Sequence, residues 1–339
     1  MTARISSNLR GQGRDARARP RKRPGGKPEP GPAISDAQFS ARLDRAAKET
    51  KQLLDRLLST KAAKGESARP RRLIEAMRYA ALGGGKRLRP LLAIESSALF
   101  GVPRKRALMA GAALECVHCY SLVHDDLPAM DNDAMRRGRP TVHRAYDEAT
   151  AILAGDSLLT FAFALLSRPD THPDPAVRIK LVAGLAAAAG LGGMTGGQML
   201  DLSAEGRYGA IALNQSEIVT LDTMKTGALI RFACLTGAIL GQAPKAAHAA
   251  LERYGQALGQ AFQIADDLLD VEGDAATLGK STGKDAAIGK ATLVTALGRS
   301  GARARLAALV ADAERALDPF GANAATLRAA ARFVAARRA

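Results

Sequence analysis

From residue 36 to the end, the chain sets Leu, Ile, Val and Ala at three- and four-residue spacings, with polar and charged positions between them. That period gathers the apolar residues on one face of a helix. It predicts helices over about 36–58, 70–81, 89–99, 104–125, 144–166, 174–190, 193–203, 215–240, 244–271, 288–299, 301–315 and 323–337. Gly- and Pro-containing stretches such as "LGGGK", "FGVP", "LPAMDND", "RRGRP", "SRPDTHPDP" and "GQAP" punctuate the run as turns or helix ends. No stretch of β-branched and aromatic residues alternates at period two, so strands are not expected. The fold class is therefore all-α. No linker divides residues 36–339, which form one domain with more helices than a four-helix bundle, arranged around a central space.

Composition adds three points. The 339 residues include 4% aromatics and no Trp, which suits helices packed closely through small side chains. Net charge is +16, but residues 1–33 hold nine Lys or Arg against Asp15 and Glu29, so about +7 of the excess sits in a Pro- and Gly-rich segment that cannot build a core. Residues 1–35 are read as a disordered basic tail. It lacks the interleaved aromatics of a nucleic-acid binder, so no nucleic-acid partner is expected. Its Pro and Gly content also spoils the amphipathic helix of a transit peptide. Three cysteines without an apolar signal region suit a reducing compartment, and the expected location is the cytoplasm. "LVAGLAAAAGLGGM", taken as the longest low-charge stretch, is too short to span a bilayer, so no transmembrane segment is expected.

Against this basic background, "HDDLPAMDND" crowds Asp125, Asp126, Asp131 and Asp133 into ten residues. Asp125 and Asp126 end a predicted helix, Pro128 breaks it, and Asp131 returns on a bulged turn. A second cluster, "QIADDLLD", places Asp266 and Asp270 four apart on one helical face with Asp267 beside them. Carboxylates without an accompanying Cys or His set favour Mg²⁺ over Zn²⁺. One DDxxD could be a solvated helix face. Two copies, each closing an otherwise apolar helix, point to metal.

Basic motifs complete the pattern: "GGGKRLRP" (Lys86, Arg87, Arg89), "RRGRP" (Arg136, Arg137, Arg139), "KTGAL" (Lys225, Thr226) and "GKSTGKDAAIGK" (Lys280, Lys284, Lys290). Gly lets backbone approach an anion, Arg offers a fork matched to phosphate oxygens, and Lys supplies a point charge. None is a Walker A loop, because "GKST" lacks the leading Gly and the preceding strand. Acid clusters and basic motifs together imply phosphates held by metal on one side and by Arg and Lys on the other.

"GGGKRLRP", "DDLPAMD", "RRGRPTVH", "GGQMLDL", "KTGAL" and "QIADDLLD", in this order and spacing, resemble the short-chain trans-isoprenyl diphosphate synthases, most closely the bacterial farnesyl type. The resemblance covers about residues 37–335 and implies an isoprenoid-synthase fold, a homodimer, and three Mg²⁺ between facing aspartate motifs. It assigns Asp125 and Asp131 to two metals with Asp126 assisting, and Asp266 to the third with Asp267 and Asp270 nearby. Arg136, Lys225, Thr226, Gln263 and Lys280 would hold the allylic diphosphate, with Lys290 close by. Lys86, Arg89, His118 and Arg137 would bind isopentenyl diphosphate. The implied reaction is head-to-tail condensation to farnesyl diphosphate.

Product length should depend on what floors the apolar tunnel beneath Asp125. Tyr120 lies about 140° around the helix from Asp125 and Ser121 about 40°, so helix geometry alone does not choose between them. By resemblance, a bulky aromatic five residues before the motif limits the product to C15, which selects Tyr120. The nearest rival is a geranylgeranyl diphosphate synthase. A terpene cyclase would not need Lys86, Arg89 and Arg137, and an inactive partner subunit could lose aspartates or Lys225, yet all are present. "CVHC" (Cys116 to Cys119) lacks a second Cys/His pair and reads as core, and His118 alone could be a buried core histidine. Gly196 and Gly197 permit close helix packing, Gln198 and Asp201 tune the metal or lysine site, and Asp156 reads as a helix cap.

Overall fold

The computed structural model describes residues 33–209, 213–272 and 292–336. Within them the chain is helical almost throughout: α1 (Asp36–Leu57), α2 (Arg71–Leu82), α3 (Leu88–Ala98), α4 (Arg104–Asp125), α5 (Val142–Ala145), α6 (Glu148–Ser167), α7 (Pro175–Ala189), α8 (Met194–Ala204), α9 (Gln215–Asp222), α10 (Ala228–Leu240), α11 (Lys245–Glu272), α12 (Leu293–Ala316) and α13 (Ala325–Ala336). A π-helical turn, Thr223–Gly227, joins α9 to α10, and a 3₁₀ segment, Asp318–Ala324, precedes α13. Residues 1–32 of the predicted tail and Lys280, Lys284 and Lys290 lie outside the described residues.

Local chemistry sets many of the ends. Ser35 begins α1 with a capping box shared with Gln38, Asn214 does the same for α9 with Glu217, and Pro175 stands in the first turn of α7. Two boundaries differ from the sequence reading. The helix expected over 144–166 is broken at Tyr146, and Asp147 caps α6 by accepting from the Thr150 N–H at 2.7 Å. Asp156, expected to be a cap, is instead inside α6, with Oδ1 3.9 Å from His124 Nε2. The break expected at 300 falls at Gly298, whose φ of 68° bends α12.

The expectation of no strands also needs a small correction. Met135–Arg136 pairs antiparallel with Arg139–Pro140 as a two-residue hairpin, β1 and β2. Its turn residues, Arg137 and Gly138, have φ of 52° and 71°, the double positive φ that matches strand twist in the tightest hairpins. A period-two search cannot find strands two residues long.

α4 lies at the centre, packed against α6, α3 and α10, and α10 in turn packs on α3, α7 and α11. Burial of α4 from Ala107 to Val123 continues around the helix, with Leu114, Cys116 and Val117 at most 1% exposed. Leu91, Leu92 and Ile94 of α3 are buried against it, and truncating any one to Ala would cost about 2–5 kcal/mol. Small residues allow backbone-to-backbone approach where α8, the π turn and α11 meet. A Cβ on Gly197 would sit 2.2 Å from Lys225 N, and one on Gly259 would sit 2.8 Å from Gly227 Cα. This packing bears out the reading of Gly197.

The membrane argument from length is corrected by α6. Its 20 residues, together with the segments Pro175–Ala204 and Gln215–Leu240, are long and apolar enough to cross a bilayer. Part of that apolarity faces inward: Leu158, Leu165 and Leu166 of α6 are buried.

Candidate active site

The C-terminal end of α4 delivers Asp125 into a cavity of about 750 Å³, while the adjacent Asp126 is buried beside it. Its wall includes the polar or charged Asp125, Arg136, Arg137, Lys225, Thr226 and Asp266, together with Tyr120, Ser121, Leu122, Ile152, Met194 and Met199. A lining that combines charged groups with apolar side chains suits a ligand with an anionic head and a hydrocarbon tail. Tyr120 and Ser121 both reach the wall, so the structure does not reduce the choice to one of them. Tyr120 is 8% exposed, its hydroxyl lies 3.5 Å from Thr195 Oγ1, and its ring meets His124 edge-on.

After Asp126 the chain turns back on itself as expected. The Asp131 N–H donates to the Asp125 carbonyl at 2.8 Å, and Arg207 donates to the carbonyls of Ala129 (2.6 Å) and Met130 from across the cavity mouth. Burial drives the Asp125 carboxyl up to about 6. Lys225 opposes the rise and Asp131 adds to it. Burial also raises Asp126, against a double contact from Arg136: Nε donates to Oδ1 at 2.7 Å, and Nη2 lies 2.6 Å from the same oxygen.

The π turn widens the helix where Lys225 and Thr226 enter the cavity. Lys225 Nζ donates to the buried Asp201 Oδ2 of α8, which connects the "GGQMLDL" motif to the lysine. Thr226 Oγ1 donates to Gln263 Oε1 at 2.8 Å, and Gln263 Nε2 donates to Asp267 Oδ1 at 2.8 Å. The second aspartate cluster therefore divides. Asp266 faces the cavity, Asp267 is buried and turned toward Gln263, and Asp270 Oδ2 is buried without a hydrogen-bond partner among the described residues.

A second cavity, of about 550 Å³, opens beside the first and shares Arg89, His118, Arg137 and Phe262 with it. Gly83, Gly84, Gly85, Lys86 and Arg87 supply its loop wall. Desolvation, with Arg89 and Arg137 adding, holds His118 well below the ordinary imidazole range, so it stays neutral near pH 7. Arg137 donates from Nη1 to the Gly84 carbonyl, which ties the hairpin turn to the glycine loop. Two cations of the basic motifs have other uses. Arg139 lies over the Tyr79 ring at 4.0 Å, and Arg87 is buried. Cys116 and Cys119 are core residues, and all three cysteines are free and buried. Arg207 and Thr195 were missed by the sequence reading, because neither belongs to an acidic or Gly-cation motif.

Among the described residues, no three His, Cys, Asp or Glu side chains are already gathered as a metal cluster. The donors nonetheless fit a hard divalent cation. They are carboxylate oxygens, Asp131 is close enough to raise the Asp125 carboxyl, and Asp270 carries a buried oxygen without a hydrogen-bond partner among the described residues.

Residues 70–318 match the polyprenyl synthetase family. The chain is 43% identical to farnesyl diphosphate synthase of Escherichia coli K12, over 82% of this chain and 91% of that one. It is 39% identical to a chloroplastic geranylgeranyl pyrophosphate synthase of Capsicum annuum, over 79% of this chain and 72% of the other. A crystal structure of an FPP/GFPP synthase from Zymomonas mobilis superposes with a TM-score of 0.80 at 44% identity, covering 88% of this chain and all of that one. The architecture is the all-α isoprenoid-synthase fold. By motif, fold and sequence alike, the chain belongs to the polyprenyl synthetase family.

Proposed function

We propose that the protein is a farnesyl diphosphate synthase, a prenyltransferase that condenses isopentenyl diphosphate head-to-tail with dimethylallyl and then geranyl diphosphate. The observation that carries this reading is the pair of adjoining cavities that share Arg89, His118, Arg137 and Phe262. One has cations over a glycine loop. The other combines Asp125 and Asp266 with apolar side chains. Two diphosphates side by side, one with its hydrocarbon chain in the larger cavity, match that division.

In this reading Asp125 and Asp131, with Asp126, would hold two Mg²⁺, and Asp266, with Asp267 and Asp270, would hold a third. Metal held there would supply positive charge against that developing on the departing diphosphate. Arg136, Lys225 and Gln263 stabilise the same charge from the protein side, with Lys280 and Lys290 joining them. Cleavage of the allylic C–O bond leaves a delocalised cation. Thr226 already donates its proton to Gln263, so its oxygen lone pairs are free to steady that cation. Lys86, Arg89, His118 and Arg137 orient isopentenyl diphosphate so that its double bond attacks C1 of the cation. The proton then lost goes to the released diphosphate, the strong base nearest to it.

We assign the product as C15 with Tyr120 as floor, on the resemblance and on the presence of Tyr120 in the cavity wall. A C20 product is the second reading, favoured by the likeness to the geranylgeranyl enzyme and by the placement of the smaller Ser121 on the same wall. We also propose one synthase domain over residues 36–339 with the tail (1–35) outside it, a cytoplasmic location, and a homodimer. Ile152, Leu153, Ile179, Leu191, Met199 and Leu200 are exposed on α6, α7, α8 and their connection, and a second copy would cover them.

The test is incubation of the purified protein with isopentenyl and dimethylallyl diphosphates, with and without Mg²⁺, followed by chromatography of the products. A Mg²⁺-dependent C15 product is expected. C20 output selects the second reading, and absence of any elongated product rejects both. Tyr120→Ala should lengthen the product, whereas unchanged C15 output would remove Tyr120 from that role.

A further inference from the structure

Arg87 stands inside the basic motif "GGGKRLRP", yet its side chain is turned away from solvent. The residue is 4% exposed, starts α3 with a left-handed backbone (φ 53°, ψ 42°), and has no glycine's freedom to do so. Its guanidinium spans two helices. Nη1 donates to Glu115 Oε1 in the middle of α4, and Nη2 donates to the Ala81 carbonyl, in the last turn of α2, at 2.6 Å. Glu115 is 2% exposed. One side chain thus ties the end of α2, the start of α3 and the core of α4, and the glycine loop Gly83–Lys86 lies between two of these attachments.

Charge gives the second argument. The walls of the smaller cavity carry Lys86, Arg87, Arg89 and Arg137, and among the described residues Glu115 is the only acid there. An unpaired carboxylate would repel a diphosphate. Bound to Arg87, it is neutralised and its field on Arg89 and Arg137 is favourable.

We propose that Arg87 and Glu115 are positioning residues for the isopentenyl-side cavity: their buried ion pair fixes the glycine loop, aims Lys86 and Arg89, and conceals the one acid on that wall. The inference rests on the two-cavity reading above. Arg87 contributes no direct contact to the diphosphate and acts through its neighbours.

Calorimetric titration of the full-length protein with isopentenyl diphosphate alone, paired with steady-state kinetics for both substrates, tests it. Arg87→Gln should weaken isopentenyl diphosphate binding by about a hundredfold, as misplaced binding groups commonly do. The KM for the allylic substrate should stay within about twofold, because Arg87 is absent from the larger cavity's wall. Adding Glu115→Gln removes the bare carboxylate and should recover about tenfold of the lost affinity, a non-additive result expected of paired charges. The double variant leaves no lone buried charge, so it keeps the test alive if Arg87→Gln does not fold: it should bind isopentenyl diphosphate about tenfold more weakly than the unmodified protein. A folded variant with unchanged isopentenyl affinity, or an equal rise in both KM values, overturns the proposal. So does a double variant no better than a folded Arg87→Gln. If the unmodified protein does not bind isopentenyl diphosphate, the two-cavity reading itself fails.

Discussion

At the end of α4, Asp125 and Asp126 stand on a chain that turns away from the helix, and Arg136, Lys225, Asp131 and Arg207 surround them with charge or backbone contacts. At the end of α11, Asp266, Asp267 and Asp270 remain on continuous helix, where 3.6 residues per turn fans them apart. One faces the cavity, one turns to Gln263, and one carries a buried oxygen without a partner among the described residues. The two motifs have similar letters but different mechanics. The first folds its carboxylates together and bears the electrostatic cost of doing so. The second spreads them and binds one into the Thr226–Gln263 chain.

The largest effect should come from breaking the first cluster. Asp125→Ala with Asp131→Ala is expected to lower kcat by about a thousandfold or more, measured by single-turnover product formation, whereas Asp270→Ala alone should cost about tenfold. Equal losses would erase the distinction between the clusters. Next is the neighbouring pair in which Asp201 holds Lys225. Asp201→Asn frees the ammonium from its buried partner and should lower kcat about ten- to a hundredfold with a smaller change in isopentenyl KM.

A stability measurement sharpens the contrast further. The Asp125 carboxyl titrates near 6 in the folded chain against 3.8 when unperturbed. The folded state therefore holds the proton more tightly, and stability falls as pH rises from about 4 to 6. Asp125→Asn should make the Mg²⁺-free protein more stable than the unmodified one at pH 8, by about 1–3 kcal/mol, with the gain shrinking toward pH 4. Thermal unfolding at the two pH values reads this, and a gain that does not depend on pH would contradict it. The smallest effect is expected from Arg207→Ala, which removes the two contacts to the Ala129 and Met130 carbonyls. A rise of about two- to threefold in the Mg²⁺ concentration for half-maximal activity is expected, in line with weak exposed contacts.

Helix positions were readable because burial on one face imposes a period that the letters carry. α4, for example, emerged with both ends correct. Asp156 shows the limit. A carboxylate before Ser looks like a cap, but the capping residue is Asp147, because a helix start depends on where the preceding chain turns. Arg87 shows another. In sequence it belongs with Lys86 and Arg89, and only the approach of Glu115, 28 residues away, separates their roles.

By itself the sequence determined that the protein is helical, that two aspartate clusters and several Gly-cation motifs face phosphate chemistry, and which family it resembles. These follow from local spacing and side-chain chemistry, which any window of the chain carries. Tertiary structure decided which charges face ligand and which face each other. Arg89 reaches both cavities and Arg87 is spent on Glu115, while Asp266 faces the cavity and Asp267 turns to Gln263. Adjacent residues on a helix or loop point in different directions, and what each one meets is set by helices distant in sequence that pack against it.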